Sequence, residues 1–283
     1  MKKIIFVLFA VCLLLSCEKL DMTGEYETDQ GSLTVNVFQI EQTPFASLTR
    51  TEVKNACTRL NYAIYDLDGT RVKQINQLVS EPNFGTASFQ LEKGKYLMVV
   101  VGHSCNANPT MTDPNKIQFT NSTGYSDTFL YSETVTIGEE PVELDISLDR
   151  IVSLCRFVIT DDIPADVAKM QFYYTGGSGA FNAATGLGSV NSKQTVTYSV
   201  SGDQKQFDLY TFLHATEGTI ELKVSALDAK DNILRERDFS VKLAQNQISW
   251  LSGPFFDSFS SSASAISSID VHTDWSAEHH YSF

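Results

Sequence analysis

The sequence RLNYAIYDLDGTRVKQI, residues 59–75, contains two strand-like runs on either side of Asp68-Gly69. Asp-Gly between two such runs is a strong signal for a β-hairpin, because both residues tolerate the backbone conformation of a tight turn. The pattern recurs in FGTASFQLEKGKYLMVVVG, residues 84–102, with Lys93-Gly94 at the turn. This part of the chain therefore predicts consecutive antiparallel hairpins.

Strand signals continue in both directions from these hairpins. Leu33, Val35 and Val37 alternate with polar residues, which places them on one face of a half-buried strand. After residue 149 the same pattern of strand-like runs recurs in RIVSLCRFVIT, QTVTYSV, TIELKVSALD and ILRERDFSVKL. Many short strands without a long amphipathic helix are typical of sandwiches and barrels. We therefore predict an all-β fold with two tandem β-sandwich domains, residues 31–148 and 149–283.

The amino terminus has the features of a secretory signal. Lys2 and Lys3 precede an apolar run from Ile4 to Leu15 that is too short to span a bilayer. The run ends in Leu14-Leu15-Ser16-Cys17, which is typical of a lipobox with cleavage between Ser16 and Cys17. We expect a signal peptide over residues 1–16, an acylated Cys17, and a polar tether over residues 17–30. Several acyl chains together hold a protein firmly in a membrane.

The charge excludes some classes of partner. The formal net charge of the 283 residues is −13, and removal of the two lysines of the signal peptide makes it −15. A surface this acidic argues against binding to nucleic acid or to anionic lipid headgroups. No second apolar run approaches the length of a transmembrane helix.

The remaining cysteines and histidines do not define a metal site. Cys57, Cys105 and Cys155 are three thiols without the CxxC spacing of zinc sites. Cys155 is expected to face the core of a strand. A disulfide bond between Cys57 and Cys105 is an alternative, although free thiols are favoured. His103 beside Cys105 and the pair His279-His280 are incomplete ligand sets, so neither metal nor cofactor is predicted.

Catalytic motifs are missing from the sequence. There is no GxSxG, no HExxH and no phosphate-binding loop before a helix, so we predict that the protein is not an enzyme. The glycine-rich segment 176–186 is expected to be a surface loop. Asp66-Leu67-Asp68-Gly69 resembles the start of a calcium loop but lacks the distal Glu, which favours the hairpin turn. Tyr125, Phe129 and Tyr131 are candidates for a glycan-binding platform, and strand packing is the alternative for all three.

Two segments of the second half carry a resemblance to a known family. They are LDRIVSLCRFVITDDIPADVAKMQFYY, residues 148–174, and NQISWLSGPFF, residues 246–256. Together with the signal ending in LLSC, they resemble the Bacteroidales fimbrial anchor and minor-subunit lipoproteins. The sequence departs from that family at Gln245, where a basic residue is frequent, and at Ser249, where the family has Thr.

The resemblance implies two transthyretin-like β-sandwich domains and a lipoprotein held in outer-membrane lipid through acylated Cys17. It also implies an anchor or accessory subunit of a fimbria, with other fimbrial subunits as partners that join by β-strand addition. Stalk subunits of this kind are processed after an Arg, so Arg50 and Arg59 are candidate cleavage sites, with a plain surface loop as the alternative reading. A surface lipoprotein that captures glycans for uptake is the alternative function.

The carboxyl-terminal residues predict one more strand. In SSIDVHTDW, residues 267–275, Ile269, Val271 and Trp275 share one face, and a serine-rich connector precedes them. Two interpretations stay open: the strand completes the sheet of a partner, or it closes the sheet of its own domain.

The first prediction concerns lipidation. Replacement of Cys17 by Ala removes the acylated side chain, so we expect the variant to leave the membrane fraction, whereas the wild-type protein needs detergent for release. Cell fractionation with immunodetection measures this. Retention of the Cys17→Ala variant in the membrane fraction would show that the lipobox assignment is wrong.

Overall fold

The computed structural model describes residues 30–42, 49–120, 125–202, 204–257 and 278–283. These residues are almost entirely β, with one four-residue helix among them, α1 (Val53–Ala56). The all-β prediction is confirmed. In the described ranges, no helix has the length and apolar character needed to cross a membrane.

The strands up to Arg150 form one eight-stranded sheet, apart from a short strand at the junction of the two halves. They are β1 (Gln30–Gln42), β2 (Thr49–Thr51), β3 (Arg59–Tyr65), β4 (Arg71–Leu78), β5 (Thr86–Glu92), β6 (Gly94–His103), β7 (Ile117–Gln118), β8 (Thr128–Ile137) and β9 (Val142–Arg150). The order in the sheet is β2-β1-β9-β8-β6-β3-β4, and β5 pairs with β1, while β7 is the short strand outside it.

This sheet folds over on itself into a sandwich. In the described chain, β8 and β9 are paired at two positions, Phe129↔Arg150 and Leu130↔Asp149. Beyond these positions the layer of β5, β1 and β9 packs against the layer of β8, β6, β3 and β4. The core between them contains alternate residues of each strand, among them Leu33 and Val35 of β1, Tyr62 of β3 and Phe89 of β5. The face of β1 that the alternation of apolar and polar residues predicted to be buried therefore points into this core.

The hairpin predicted at Asp68-Gly69 is present between β3 and β4. The Asp66 carboxylate accepts hydrogen bonds from the backbone N–H groups of Asp68 (3.0 Å) and Thr70 (2.8 Å). Gly69 has φ of +83°, a conformation that favours glycine. The carboxylate that resembled a calcium ligand thus holds the turn together.

The second half forms two four-stranded sheets. Its strands are β10 (Ser153–Ile159), β11 (Lys169–Thr175), β12 (Ala180–Phe181), β13 (Gln194–Ser199), β14 (Gln206–Thr211), β15 (Glu217–Leu227), β16 (Ile233–Ala244), β17 (Ile248–Gly253) and β18 (Glu278–Ser282). The orders are β14-β10-β17-β18 and β13-β11-β15-β16, while β12 pairs with β7 of the first half. Cys155, Phe157 and Phe172 lie in the core between the two sheets, so Cys155 faces the core as predicted.

The two halves also share an apolar cluster. The outer face of β3 and β6, with Tyr65 and Val99, packs against Leu154, Phe212 and Ile248 of the second half. β9 belongs to the sheet of the first half, and the next strand, β10, belongs to a sheet of the second half. The division into domains at residues 148 and 149 stays a prediction, and the shared cluster indicates that the halves are packed together rather than loosely linked.

A matched pair of substitutions tests the second sandwich. Phe172 is fully buried and contacts Phe157 and Phe207, whereas the next residue, Tyr173, points to the opposite face of the sheet and is partly exposed. We expect Phe172→Ala to lower the free energy of unfolding by about 3–5 kcal/mol because it leaves a cavity. Tyr173→Ala should cost less than about 1 kcal/mol. Urea denaturation measures both, and equal losses would contradict this arrangement of the faces.

Candidate functional site: the terminal strand and the junction

Several predicted site residues lie outside the described residues. These are Ser16 and Cys17 of the lipobox and Ile269, Val271 and Trp275 of the predicted partner strand. Their roles stay predictions. The described part of the carboxyl terminus begins at Glu278, and it forms the strand β18.

β18 lies at the edge of a sheet, parallel to β17. Five residues of each strand are in register, from Ile248↔Glu278 to Ser252↔Ser282. The backbone N–H of Phe283 donates to the carbonyl oxygen of Ser252 at 3.1 Å. Residues 254–277 separate the two strands in the sequence. A strand from the very end of the chain therefore extends the sheet of the second half.

The last residue, Phe283, anchors this strand in the core. Its ring stacks on Phe157 at a centroid distance of 5.1 Å and meets Phe239 at 4.8 Å. The guanidinium of Arg237 lies over the ring at 4.9 Å. A side chain on Gly253 would collide with the backbone of Phe283, so glycine is needed for this close approach. The strand is held by its terminal aromatic ring as well as by main-chain hydrogen bonds.

The outer face of the same sheet carries a row of interacting side chains that runs across all four strands. Asp208 and Arg156 form a two-point ion pair with N–O distances of 2.7 and 2.8 Å. The Arg156 guanidinium lies 4.8 Å from the centre of a Trp250 ring, and Trp250 stacks on His280 at 5.3 Å. Trp250 on β17 thus links the charged pair of β14 and β10 to the terminal strand β18.

Asp161 fixes the point at which the chain leaves β17. Its carboxylate accepts hydrogen bonds from the backbone N–H groups of Phe255 (2.8 Å), Phe256 (2.6 Å) and Asp257 (2.7 Å). Partial burial alone would raise the pKa of Asp161, but these three donors outweigh it and hold the pKa below its usual value. Asp161 directly precedes Asp162-Ile163-Pro164, so the clamp lies where the chain turns away from the end of β10.

Arg150 lies at the end of β9, where the first half meets the second. Its side chain is 2% exposed and makes two 2.7 Å hydrogen bonds to the Asp127 carboxylate. The guanidinium also lies 5.0 Å from the centre of the Phe129 ring and donates to the side-chain oxygen of Asn246 at 3.4 Å. Asn246 has φ of +56°, a left-handed conformation that Asn tolerates. Arg150 and Asn246 lie in the two segments that resemble the fimbrial family, but 96 positions separate them, so no local pattern predicts that they pair.

The three aromatic candidates for a glycan platform do not share a surface. Phe129 is fully buried in the first core. Tyr125 packs against the cluster shared by the two halves. Tyr131 is partly exposed, and its hydroxyl donates to Glu133 at 3.2 Å. A platform made of all three is therefore wrong, because Phe129 and Tyr131 are alternate residues of β8 that both pack in or against the first core, whereas Tyr125 packs against the shared cluster.

Arg59 does not lie in a surface loop, which corrects that interpretation. It begins β3, and its guanidinium donates to the carbonyl oxygens of Cys105 (2.9 Å) and Asn106 (2.9 Å). Arg50 is the middle residue of the short strand β2. Cleavage after either residue stays a prediction. Cys57, Cys105 and Cys155 are buried free thiols, so the bridge between the first two is absent.

His103, the last residue of β6, is fully buried. The Nε2 atom of His103 lies 2.7 Å from the side-chain oxygen of Asn61, and its Nδ1 accepts from the backbone N–H of Cys105 at 3.1 Å. Burial, helped by the nearby charge of Arg59, lowers the pKa of His103 to about 4. Both ring nitrogens are engaged within the fold, which makes His103 a structural residue.

Fold and site together define an all-β protein of two packed sandwiches whose last strand is added at a sheet edge from a distant part of the chain. The chain belongs to a family of unknown function, DUF6562, whose model matches residues 27–282. No curated protein matches its sequence.

The chain is similar to several solved structures of proteins from Bacteroides and Porphyromonas. A putative adhesin from Bacteroides ovatus has a TM-score of 0.48 and 14% identity, covering 80% of this chain and 87% of its own. Putative polysaccharide-binding proteins from Bacteroides thetaiotaomicron give 0.47 and 11%, with 73% and 79% covered. The fimbrial anchor protein Mfa2 from Porphyromonas gingivalis gives 0.44 and 11%, with 74% and 82% covered. The last is a protein of the class that the sequence resembles.

The Asp161 clamp makes stability depend on pH. The ionised carboxylate is favoured in the folded protein, so its contribution is fully present above the ordinary carboxyl pKa of about 4 and is lost as the pH falls through the lower pKa of the folded state. Because solvent reaches the carboxyl and weakens the effect, we expect Asp161→Asn to cost about 1 kcal/mol at pH 7. Below about pH 4 the difference from wild type should shrink.

The neighbouring residue provides the control. Asp162 is fully exposed and pairs with Lys205 at 3.0 Å. A surface pair of this kind contributes little, so Asp162→Asn should leave the free energy of unfolding nearly unchanged at both pH values. Urea denaturation at pH 7 and pH 3.5 compares the two variants. A loss of unfolding free energy in Asp161→Asn that is equal at both pH values would contradict the proposed role of the ionised Asp161 carboxylate.

Proposed function

We propose that the protein is a cell-surface lipoprotein that serves as an anchor or accessory subunit of a fimbria and joins its partners by β-strand addition. The observation that carries the proposal is β18. It is a short terminal strand that extends an edge of the second sandwich, beyond a stretch of chain, residues 258–277, that is rich in serine.

The geometry of β18 is that of an added strand. Main-chain hydrogen bonds to β17 supply affinity, and alternate side chains fix the register. His279, Tyr281 and Phe283 share one face of β18, with Tyr281 and Phe283 packed against the second core. If β18 leaves this edge, an extended segment of another subunit with aromatic residues at alternate positions would pair with the same backbone edge and fill the same apolar slot beside β17.

The amino-terminal features give the proposal its location. A chain that is acylated at Cys17 is held in outer-membrane lipid, and a polar tether separates the lipid from the first strand. The resemblance of residues 148–174 and 246–256 to fimbrial anchor and minor-subunit lipoproteins supports the same role. An anchor needs a lipid at one end and a surface for strand pairing elsewhere, and the predicted acylation of Cys17 and the sheet edge beside β17 support this role.

Co-purification from outer membranes tests the proposed function. An epitope placed in the exposed turn at residues 229–231, between β15 and β16, leaves both ends of the chain intact. After solubilisation of outer membranes of the native bacterium in detergent, we expect fimbrial subunits to co-purify with the tagged protein, as identified by mass spectrometry. An unrelated lipoprotein of the same membrane with the same epitope is the control for membrane fragments. Absence of fimbrial subunits, or equal recovery with the control, would overturn the assignment.

A further inference from the structure

The strand β4 is an uncovered edge of the first sheet. It pairs with β3 on one side and has no neighbouring strand on the other side among the described residues. Of the six large apolar side chains that the described chain exposes, four lie on β4 or close to its ends, namely Leu67, Val72, Leu78 and Val79. An edge with unpaired backbone groups and exposed apolar side chains is a template for another strand.

The backbone groups of alternate residues of β4 point away from β3. The N–H of Val79, just after the strand, donates to the carbonyl oxygen of Thr58, just before β3, at 2.9 Å. The N–H of Leu78 points the other way and donates to the side chain of Glu81 at 3.1 Å. Because successive residues of an antiparallel strand direct their N–H and C=O groups to opposite sides, residues 74 and 76 also direct theirs outward.

The two faces of β4 have different surroundings. Ile75 packs against the first core, and the buried Gln77 donates to the carbonyl oxygen of Thr86 at 2.7 Å. Gln74 and Asn76 lie on the opposite face, where the Gln74 amide donates to the Asn76 side chain at 2.9 Å. A strand added at this edge has to match both faces, so only every second register is possible.

The charge of this edge suits a second copy of the same chain. The chain has a formal net charge of −13, so two copies repel each other over most of their surfaces. Residues 69–80 are an exception, because their only charged side chains are those of Arg71 and Lys73. Two copies are therefore able to meet along β4 without bringing carboxylates together.

β4 is self-complementary in one antiparallel register. When Ile75 of each copy lies on a two-fold axis, Gln74 of one copy is opposite Asn76 of the other, and their outward backbone groups exchange a pair of hydrogen bonds. The same register places the half-exposed side chain of Val72 opposite that of Leu78. A shift by two residues, the smallest that keeps each face on its own side, would place Val72 opposite a polar residue instead.

Like charges stay apart in this register. Lys73 lies opposite Gln77 of the other copy, so the two lysines are separated along the strands by roughly 13 Å. This exceeds the Debye length of about 10 Å at 0.1 M salt, so their repulsion is screened. The β-bulge of β4 falls between Arg71 and Lys73, and it therefore lies outside the central residues of the pairing.

We propose that β4 is a self-association surface, at which two copies of this chain join edge to edge in the register centred on Ile75. The sheet of the first sandwich then continues across the pair. β4 belongs to a different sheet from β17 and β18, so this association goes beyond the proposed fimbrial role and is tested without any fimbrial partner.

Sedimentation equilibrium of residues 17–283 with Cys17→Ala tests the association. We expect a reversible dimer with a Kd of about 100 µM or below, because the interface is small. Gln74→Pro removes an outward N–H that β3 does not use, so it should weaken the dimer at least about tenfold while circular dichroism stays unchanged. Leu234→Lys is the control, because it changes an exposed apolar side chain of β16 and should leave the Kd as it is.

A disulfide cross-link tests the register. Only residue 75 faces its own copy, at a Cα distance of about 4.5 Å, which a disulfide bond spans. Cys57, Cys105 and Cys155 are buried and do not compete. With diamide as the oxidant, Ile75→Cys should form a linked dimer at least about tenfold faster than Lys73→Cys, although Lys73 is the more exposed side chain.

Each of three results would overturn the proposal. The first is a protein that stays monomeric at about 500 µM, well above the expected Kd. The second is a folded Gln74→Pro variant that dimerises as the parent protein does. The third is a Lys73→Cys variant that cross-links as fast as Ile75→Cys, because the strands would then pair in another register or collide at random.

Discussion

The two-point ion pair between Arg150 and Asp127 is the interaction on which the arrangement of the two halves depends. It is buried at the end of β9, where the chain passes from the first sandwich to the second, and Arg150 also reaches Phe129 and the Asn246 turn. Removal of one partner of a buried ion pair typically costs roughly 3–5 kcal/mol, because the other charge is left uncompensated. One guanidinium thus ties together the loop before β8, the first core and the β16–β17 turn.

The edges of the sheets determine where this protein is able to interact. Edge strands present unpaired backbone groups, which natural proteins cover or use. Here the edge beside β17 is covered by the carboxyl terminus of the chain itself, held by the Phe283 ring and by the row Arg156, Trp250 and His280. At the other structural boundary, β8 and β9 separate and leave a groove instead of a paired edge. The groove forms because β8 and β9 enter different layers of the sandwich. The edge beside β17 is covered because β18, which follows it in the sequence, returns to the same sheet.

Much of the fold could be predicted from the sequence because period-2 patterns and turn residues are local signals. The Asp68-Gly69 hairpin, the buried face of β1 and the inward-facing Cys155 all follow from neighbours within a few residues. The candidate site could be predicted less well. Tyr125, Phe129 and Tyr131 are close in sequence, yet Tyr125 packs against the cluster shared by the two halves, whereas Phe129 and Tyr131 pack in or against the first core. Arg59 looked like part of a polar loop, but its guanidinium binds carbonyl groups more than 40 residues away.

By itself, the sequence determined the all-β class and the hairpins, because each depends on residue types at short and fixed spacing. The tertiary structure alone decided which strands became neighbours. Arg150 donates a hydrogen bond to Asn246, and Asp161 accepts three hydrogen bonds from residues 255–257. Phe283 packs beside Phe157. Each of these contacts joins positions about a hundred residues apart. Such contacts depend on how two layers close around a core, and no local pattern encodes that closure.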